Sequence, residues 1–303
     1  MIIDVRQVSK EFEKTIAIDR VALQVKPGEI FGLVGPDGAG KTTLIRMLTG
    51  IVEPSAGEIL VLDSSDLERI KPGLGYVPQK FSLYGDLTVM ENIRFIGLMY
   101  GAPRPKVEAL AEEILAFTKL LPFKERLAEN LSGGMKQKLA LAAGLMHKPK
   151  LFFLDEPTTG VDPVSRREFW QMLYHLNQTE NMTIFVSTPY MDEAELCTQI
   201  AFMHQGRITA CSSPQELRNS YPNRLLELET AAKGIKDYLR NCPILDINPF
   251  GDKYHLVVKD PDAAMAAVED ALTKAGIPIT MLREIPPTME DVFVALTSEV
   301  ASL

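Results

Sequence analysis

The stretch GPDGAGKTT, from Gly35 to Thr43, constrains the fold of this chain more than any other part of the sequence. It fits the pattern G-x-x-x-x-G-K-[ST], follows the apolar run EIFGLVG and precedes the helical run TLIRMLTG. Glycines at these positions let successive backbone N–H groups point inward around a phosphate, and the helix start adds the positive end of its dipole. We therefore predict a phosphate loop between a buried strand and a helix. Its residues are Gly35, Pro36, Asp37, Gly38, Ala39, Gly40, Lys41, Thr42 and Thr43.

Four side chains in two elements predict a nucleotide hydrolase. Lys41 stands where it can reach the β- and γ-phosphates, and the Thr42 hydroxyl stands where it can ligate Mg²⁺. Later in the chain, the apolar strand LFFLD ends on Asp155 and is followed by Glu156. Asp155 can hold Mg²⁺, and Glu156 can polarise a water for attack on the γ-phosphate. An acidic pair alone would be weak evidence, but the phosphate loop upstream gives it this meaning.

The run LSGGMKQKLALAAGLM, which begins at Leu131, lies between these two elements in the sequence. Here the chain resembles the ATP-binding cassette (ABC) ATPases, whose signature is LSGGQ, with Met135 in the last place. The resemblance covers roughly residues 2–220 in the family's order of motifs. Ser132, Gly133 and Gly134 open a helix, so they present a hydroxyl and unobstructed N–H groups to an anion.

The resemblance implies further site residues and a partner. Phe12 resembles the aromatic residue that stacks on adenine, and Gln79 is similar to the glutamine that touches Mg²⁺ and the attacking water. Asp162 resembles the aspartate that crosses to the opposite site of a cassette dimer. In this family two cassettes enclose two ATP molecules, each bound by the phosphate loop of one cassette and the signature of the other. No N-K-x-D stretch is present, which favours ATP over GTP, so the implied ligands are ATP and Mg²⁺.

One position departs from the family's pattern. Pro189 stands where the family has a histidine that donates a hydrogen bond to the γ-phosphate, and proline has no donor. Losing one aimed donor typically lowers the rate by about 10²–10³. Thr188 is shorter than a histidine and Tyr190 is differently placed. Two hypotheses follow: Pro189 is a tolerated loop residue in an active enzyme, or this site is degenerate in an asymmetric pair.

The order of patterns predicts an α/β fold with two domains. Residues 1–220 are expected to form an ABC-type ATPase domain whose strands EIFGLVG, LFFLD and TIFVST are parallel and buried, with a helical subdomain at about 85–145. From Tyr221 the pattern changes to a β-α-β-β-α-β unit that resembles the ferredoxin-like arrangement, with its first helix through GIKDYLRN. A linker is expected near 214–223. Because residues 221–303 carry no catalytic constellation, we expect an accessory or regulatory α+β domain there.

Composition narrows the partners and the compartment. The net charge of −8 argues against a nucleic-acid partner, whose phosphates demand basic surface. No apolar run approaches the roughly 18–20 residues that span a bilayer, and the stretch MIIDVRQVSK is not a secretory signal. The three cysteines and four histidines show neither a disulfide framework nor metal-ligand spacing. These features predict an intracellular protein, and the family resemblance implies a peripheral position on the cytoplasmic face of the inner membrane.

The residues of these motifs resemble those in the N-terminal half of tandem-cassette exporters. The stretch PTMEDVFVALT resembles the drug- and sodium-exporting branch of the ABC family. This implies an ATP-hydrolysing subunit that drives an exporter with a second cassette, as a homodimer, a heterodimer or a tandem half, and with permease subunits. One alternative is a regulatory subunit that binds ATP without hydrolysing it, which Pro189 favours and Glu156 disfavours. Another is a soluble ABC protein acting on ribosomes or DNA, which would carry a long charged linker between motifs.

Overall fold

The computed structural model describes residues 1–300. They fall into two compact units, the first Met1–Pro214 and the second beginning at Gln215. Within the described part of the chain, no helix combines the length and the apolar character needed to cross a membrane.

The strands of the first unit form two sheets. The strands are β1 (Ile3–Phe12), β2 (Thr15–Val25), β3 (Ile30–Val34), β4 (Ala56–Val61), β5 (Leu74–Val77), β6 (Leu151–Asp155), β7 (Thr183–Thr188), β8 (Gln199–His204) and β9 (Arg207–Ser212). The larger sheet has the order β5-β6-β7-β3-β8-β9 and is parallel except for β9, which runs antiparallel to β8. The smaller sheet is antiparallel, with the order β2-β1-β4.

The centre of the larger sheet is built from the three apolar runs that predicted buried parallel strands. Every residue of β3, β6 and β7 is buried. The rings of Phe31 and Phe185 stack at 5.2 Å between centroids, which ties β3 to its neighbour β7. The predicted α/β class is confirmed. Since these strands are parallel and adjacent, the loops that follow them meet at one edge of the sheet.

The helices of the first unit frame that edge and build the helical subdomain. They are α1 (Lys41–Leu48), α2 (Leu67–Ile70), α3 (Val89–Met99), α4 (Arg104–Phe117), α5 (Gly133–Leu145), α6 (Pro163–Glu180) and α7 (Met191–Ala194). The next helix, α8 (Pro214–Asn219), begins at the last residue of the first unit and otherwise belongs to the second. Helices α3, α4 and α5 lie within or at the border of the stretch 85–145 where helices were expected. Thr88 begins α3 with a reciprocal capping box to Glu91, which explains the sharp start of that helix.

The second unit is a four-stranded antiparallel sheet with helices. Its elements are β10 (Arg224–Glu229), β11 (Ile244–Phe250), β12 (Lys253–Val258), α9 (Pro261–Lys274), β13 (Met281–Ile285) and α10 (Met289–Val300). The sheet order is β11-β12-β10-β13, the order of the ferredoxin-like arrangement. Leu226, Leu256 and Val268 belong to its own apolar core.

The first helix predicted for the second unit is wrong. In place of a helix through GIKDYLRN, the structure has a single 3₁₀ turn at Ile235–Asp237. The stretch begins at Gly234, whose φ is 72°, and Pro243 disfavours helical geometry in the residue before it. So short a segment gains too few hydrogen bonds to offset helix nucleation. Ile235 and Leu239 are nevertheless buried in the core, as the apolar pattern required.

The boundary between the two units, after Pro214, falls within the stretch expected to be a linker. Residues 214–223 include the short helix α8. Pro214 is its first residue, a position where the missing N–H of proline is not needed.

Candidate functional site

The phosphate loop predicted at 35–43 connects β3 to α1. The Gly35 N–H donates to the carbonyl of Thr188 at 3.2 Å, and a Cβ on Gly35 would lie 2.1 Å from the carbonyl oxygen of Met203. Gly40, directly before α1, has a φ of 108°, a left-handed value that suits glycine. Of the other loop residues outside α1, three are exposed and the last is buried: Pro36, Asp37, Gly38 and Ala39.

Lys41 is buried at the start of α1 and faces the loop. Its ammonium donates to the carbonyls of Gly35 at 2.8 Å and Pro36 at 3.0 Å. It also forms an ion pair with the Glu156 carboxylate at 3.0 Å, and the two side chains are 3% and 5% exposed. A cation and an anion that belong to distant parts of the sequence therefore meet inside the predicted phosphate site.

Glu156 follows β6 and is bound from several directions. Gln79, which follows β5, donates through Nε2 to Glu156 Oε2 at 2.8 Å, and the Thr159 hydroxyl donates to the same oxygen at 3.4 Å. The Glu156 N–H donates to the hydroxyl of Ser187 at 3.0 Å. The backbone of Glu156 has a φ of 49°, which is unusual outside glycine. A carboxylate held in this way by several hydrogen bonds is suited to orienting a water molecule.

Asp155 and Thr42 provide the oxygen atoms expected to bind magnesium. Asp155 Oδ1 accepts from the Thr42 hydroxyl at 3.2 Å and from the Ser187 hydroxyl at 2.7 Å. Its other oxygen, Oδ2, is buried and has no hydrogen-bond partner. Burial raises the pKa of Asp155 above its usual value, because a carboxylate is less stable away from water. A carboxylate and a hydroxyl are ligands that Mg²⁺ accepts, and these residues fit the ion.

Lys41, Thr42 and Glu156 line a cleft of about 330 Å³ between the phosphate loop, the β1–β2 hairpin and the β8–β9 hairpin. Its lining consists of Thr15, Ile16, Ala17, Gly38, Gly40, Lys41, Thr42, Thr43, Glu156, Gln205 and Gly206. Ile16 and Gln205 were not predicted from the sequence, because no motif marks the hairpin residues beside the loop.

Phe12, expected to stack on adenine, does not line the cleft. It lies in the β1–β2 hairpin opposite Thr15, is 46% exposed, and has the Lys10 ammonium 5.0 Å from its ring centroid. An aromatic face near the cleft is therefore present, and its contact with a base remains a prediction.

The signature residues and Asp162 lie at helix starts outside this cleft. Ser132 caps α5 by accepting from the Met135 N–H at 3.3 Å, and Asp162 caps α6 by accepting from the Ser165 N–H at 2.9 Å. Ser132, Gly133 and Asp162 are exposed, whereas Gly134 is buried. The structure does not bring these four residues into contact with the phosphate loop, so within one chain they do not complete the site.

The segment after β7 contains Pro189 and is fixed by one buried carboxylate. Glu193 accepts from the Thr188 hydroxyl at 2.6 Å and from the Thr158 hydroxyl at 2.5 Å. The Tyr190 ring lies 4.2 Å from the guanidinium carbon of Arg166. Glu193 belongs to no motif that marks this contact, so its role in holding the segment could not be predicted from the sequence.

Comparisons with known proteins identify the family. Two family models match the chain: one described as ABC transporter matches residues 18–159, and one described as the C-terminal domain of DrrA1-3-like ATP-binding proteins matches residues 213–297. The Nod factor export ATP-binding protein I of Rhizobium etli is 34% identical over 97% of this chain and 93% of that protein. The chain belongs to the ABC transporter ATP-binding proteins. The resemblance expected from the motifs is thereby confirmed for this ABC protein.

Another relative is a longer protein. This ABC protein is 39% identical to the probable multidrug ABC transporter ATP-binding protein YbhF of Escherichia coli over 90% of this chain, but the match spans only 47% of YbhF. The chain therefore spans about half the length of that relative.

Solved structures of ABC proteins share the fold of the first unit. The cbiO1 subunit of the ABC transporter complex cbiONQ from Clostridium perfringens superimposes with a TM-score of 0.67 at 26% identity, over 72% of this chain and 91% of that chain. A dimeric ATP-binding cassette in a post-hydrolysis state, bound to ADP and phosphate, gives a TM-score of 0.64 at 26% identity, over 70% and 98%.

Proposed function

We propose that this ABC protein binds and hydrolyses ATP as one subunit of a membrane exporter. The observation that supports hydrolysis is the meeting of Lys41, Gln79 and Glu156 beside Asp155 and Thr42. These are the parts that phosphoryl transfer requires: a cation for the phosphates, oxygen ligands for a metal, and a carboxylate for the water. The relatives named for multidrug and Nod factor export support the exporter role.

Each residue has a distinct task in this proposal. Lys41 exchanges its contact with Glu156 for the β- and γ-phosphates, which frees Glu156 to accept a hydrogen bond from the attacking water. Asp155 and Thr42 would hold Mg²⁺, which neutralises charge on the phosphate oxygens when it is bound. Gln79 donates a side-chain hydrogen bond to Glu156, so a shift of Glu156 during the reaction can move Gln79 and the residues next to it.

We propose that a second cassette completes each site. Ser132, Gly133 and Asp162 are exposed at the starts of α5 and α6, and at α5 the positive end of the helix dipole favours an anion. Because these residues do not reach the phosphate loop of their own chain, the nucleotide of a partner is the ligand that suits them. One structurally similar cassette is a dimer, which supports this arrangement.

A groove in the first unit suits a permease segment. It has a volume of about 470 Å³ and apolar walls that include Ile51, Met99 and Tyr100, which are 55%, 67% and 48% exposed. Its lining also includes Val77 and Pro78, the residues before Gln79. A permease segment seated there would contact the immediate neighbours of the side chain that is bonded to Glu156. This is consistent with a peripheral protein on the cytoplasmic face of the inner membrane.

Pro189 supports slower ATP hydrolysis at the nucleotide site that this chain builds around Lys41. Neither side chain next to Pro189 is placed to replace a histidine, because the Thr188 hydroxyl donates to Glu193 and the Tyr190 ring stacks against Arg166. We propose that the site built on Lys41 turns ATP over slowly. The second candidate function, a regulatory subunit that binds ATP without hydrolysing it, is favoured by this observation, whereas the retained Glu156 favours hydrolysis.

One experiment tests the exporter assignment. A tagged full-length protein is purified from solubilised membranes, and permease subunits should copurify with it. Met99→Glu in the groove should reduce their recovery at least about tenfold, because it buries a charge in an apolar contact. Leu245→Glu, at an exposed apolar residue of the second unit, is the matched control and should copurify normally. Undiminished recovery of permease with Met99→Glu would contradict docking in this groove, and absence of any permease would contradict the exporter role.

A further inference from the structure

Helices α5 and α6 contact each other at their first turns. A Cβ on Gly134 would lie 2.6 Å from the Cβ of Ser165, so the two backbones approach as closely as a glycine allows. A Cβ on Gly133 would lie 3.7 Å from the carbonyl oxygen of Gly160, in the loop before α6. The signature residues and the Asp162 loop are thus neighbours in one chain.

An ion-pair cluster joins the same helices one turn further along. Lys138, on α5, is buried, and its ammonium is paired with the carboxylate of Glu168 on α6. The other carboxylate oxygen of Glu168 accepts from the ammonium of Lys119, which follows α4, at 2.9 Å. The hydrogen bonds from both lysines lower the pKa of Glu168, and the bond from Lys138 has the larger effect. One carboxylate therefore bridges three segments of the chain.

The cluster serves neither the Lys41 site nor the groove. Lys119, Lys138 and Glu168 line neither of them. A buried lysine is unfavourable unless it is paired, and an apolar side chain would fill the same space without that requirement. The arrangement is therefore better explained by the geometry that it imposes on α5 and α6 than by stability alone.

We propose that Glu168 is a positioning residue that holds the starts of α5 and α6 in fixed register, so that Ser132, Gly133 and Asp162 meet a partner's nucleotide as one surface. This inference rests on the proposed function of these residues in a second cassette's site. Glu168 acts through Lys138 and contacts no nucleotide. Without its carboxylate, the two helix starts can shift relative to each other while the phosphate loop stays intact.

Hydrogen exchange on the full-length protein tests the proposal. Glu168→Gln keeps the shape of the side chain and removes its charge. The backbone amides of residues 133–136 and 164–166 should then exchange at least about fivefold faster, while those of α1 should not change. Glu68→Gln, which removes the carboxylate of the exposed pair with Lys71, is the matched control and should leave both helix starts unchanged.

A double variant separates positioning from stability. Glu168→Gln leaves Lys138 buried and unpaired, so a lower Tm is expected. Adding Lys138→Met removes that buried charge and should restore the Tm. Methionine has no hydrogen-bond donor, so α5 stays unbonded to the side chain at position 168, and fast exchange at the helix starts should remain. Wild-type exchange in the double variant would overturn the proposal, because the carboxylate would then only neutralise Lys138.

Mg-ATP binding, measured by calorimetry on the same proteins, distinguishes the two levels of inference. All variants should bind as the unmodified protein does, because Glu168 does not reach Lys41. If the unmodified protein fails to bind Mg-ATP, the proposed function fails, whatever the exchange data show. If it binds and Glu168→Gln leaves exchange unchanged at both helix starts, only the positioning role fails.

Discussion

The ammonium of Lys41 lies 3.0 Å from the carboxylate of Glu156, so the side chain expected to bind phosphate contacts the side chain expected to polarise water. Neither charge is exposed, and each is the other's main partner in a buried site. Bound phosphate would compete with Glu156 for Lys41. The ion pair keeps both side chains near their working positions.

Removing the lysine should abolish most nucleotide binding. Among the described residues that line the cleft, Lys41 carries the only positive side chain, and Lys41→Ala leaves Glu156 as an unpaired anion facing the phosphates. We expect ATP affinity to fall at least about 100-fold in calorimetry, since charge-assisted contacts dominate phosphate binding. Lys71→Ala, at an exposed ion pair, should bind ATP normally. Unchanged affinity in Lys41→Ala would remove the main support for this site.

The two nucleotide sites of the assembled transporter should be unequal. In a transport-competent complex whose partner cassette carries the histidine, Glu156→Gln should lower ATPase activity less than about twofold. Gly134→Glu should lower it more than about 100-fold, because the new side chain collides with Ser165 and displaces the helix starts that face the partner's phosphates. Equal and complete losses in both variants would show that the sites are equivalent and that Pro189 is a tolerated loop residue.

Restoring the missing donor should raise turnover. Pro189→His should increase the ATPase rate of the chain alone by up to about 10²–10³, the usual effect of one aimed hydrogen-bond donor. Pro189→Ala removes the ring without adding a side-chain donor, so it should not give this increase. A similar rate in both variants, measured as phosphate release at saturating ATP, would argue that the donor is irrelevant.

The second unit should be dispensable for nucleotide binding. Its apolar core and that of the first unit are separate clusters, and every residue that lines the Lys41 cleft belongs to the first unit. A chain lacking residues 222–303 should therefore bind Mg-ATP within about threefold of the full chain, while associating less with itself or a partner in sedimentation. Loss of folding or of ATP binding in the shortened chain would contradict the accessory role.

The stability of the second unit should depend on pH through Asp291. Burial opposes ionisation of this carboxyl, but hydrogen bonds from His255 at 2.9 Å and from Thr288 outweigh it and lower the pKa of Asp291. Ionised Asp291 therefore stabilises the folded state fully above its unfolded pKa of about 4, and this contribution is lost as pH falls through the lowered folded value.

Asp291→Asn measures that contribution. At pH 7 the substitution should reduce the free energy of unfolding by about 1–3 kcal/mol, because a buried charged hydrogen bond is lost. Below a pH of about 4, the difference in free energy of unfolding between the variant and the unmodified protein should shrink. It is measured in denaturant titrations with a probe that reports unfolding of the second unit. A difference that stays constant from neutral pH down through this range would contradict the role of ionised Asp291.

The sequence by itself determined the features that depend on local pattern. The phosphate loop at 35–43, the acidic pair after LFFLD and the helix start at Ser132 each combine a spacing with a neighbouring strand or helix, and a spacing needs no long-range contact to be recognised. The same holds for the central strands, whose unbroken apolar runs require burial on both faces. The predicted helix at Gly234 failed because apolar spacing alone ignores the effect of Gly234 and Pro243 on so short a segment.

Only the tertiary structure decided which of these groups meet. The ion pair between Lys41 and Glu156, the three segments joined by Glu168, and the commitment of Thr188 to Glu193 all connect residues that are distant in sequence or lack a motif. Such contacts depend on how strands and helices pack, and a local pattern carries no information about distance across the fold. That is why the sequence could show that Pro189 removes a donor, while the structure alone showed that its neighbours are already engaged.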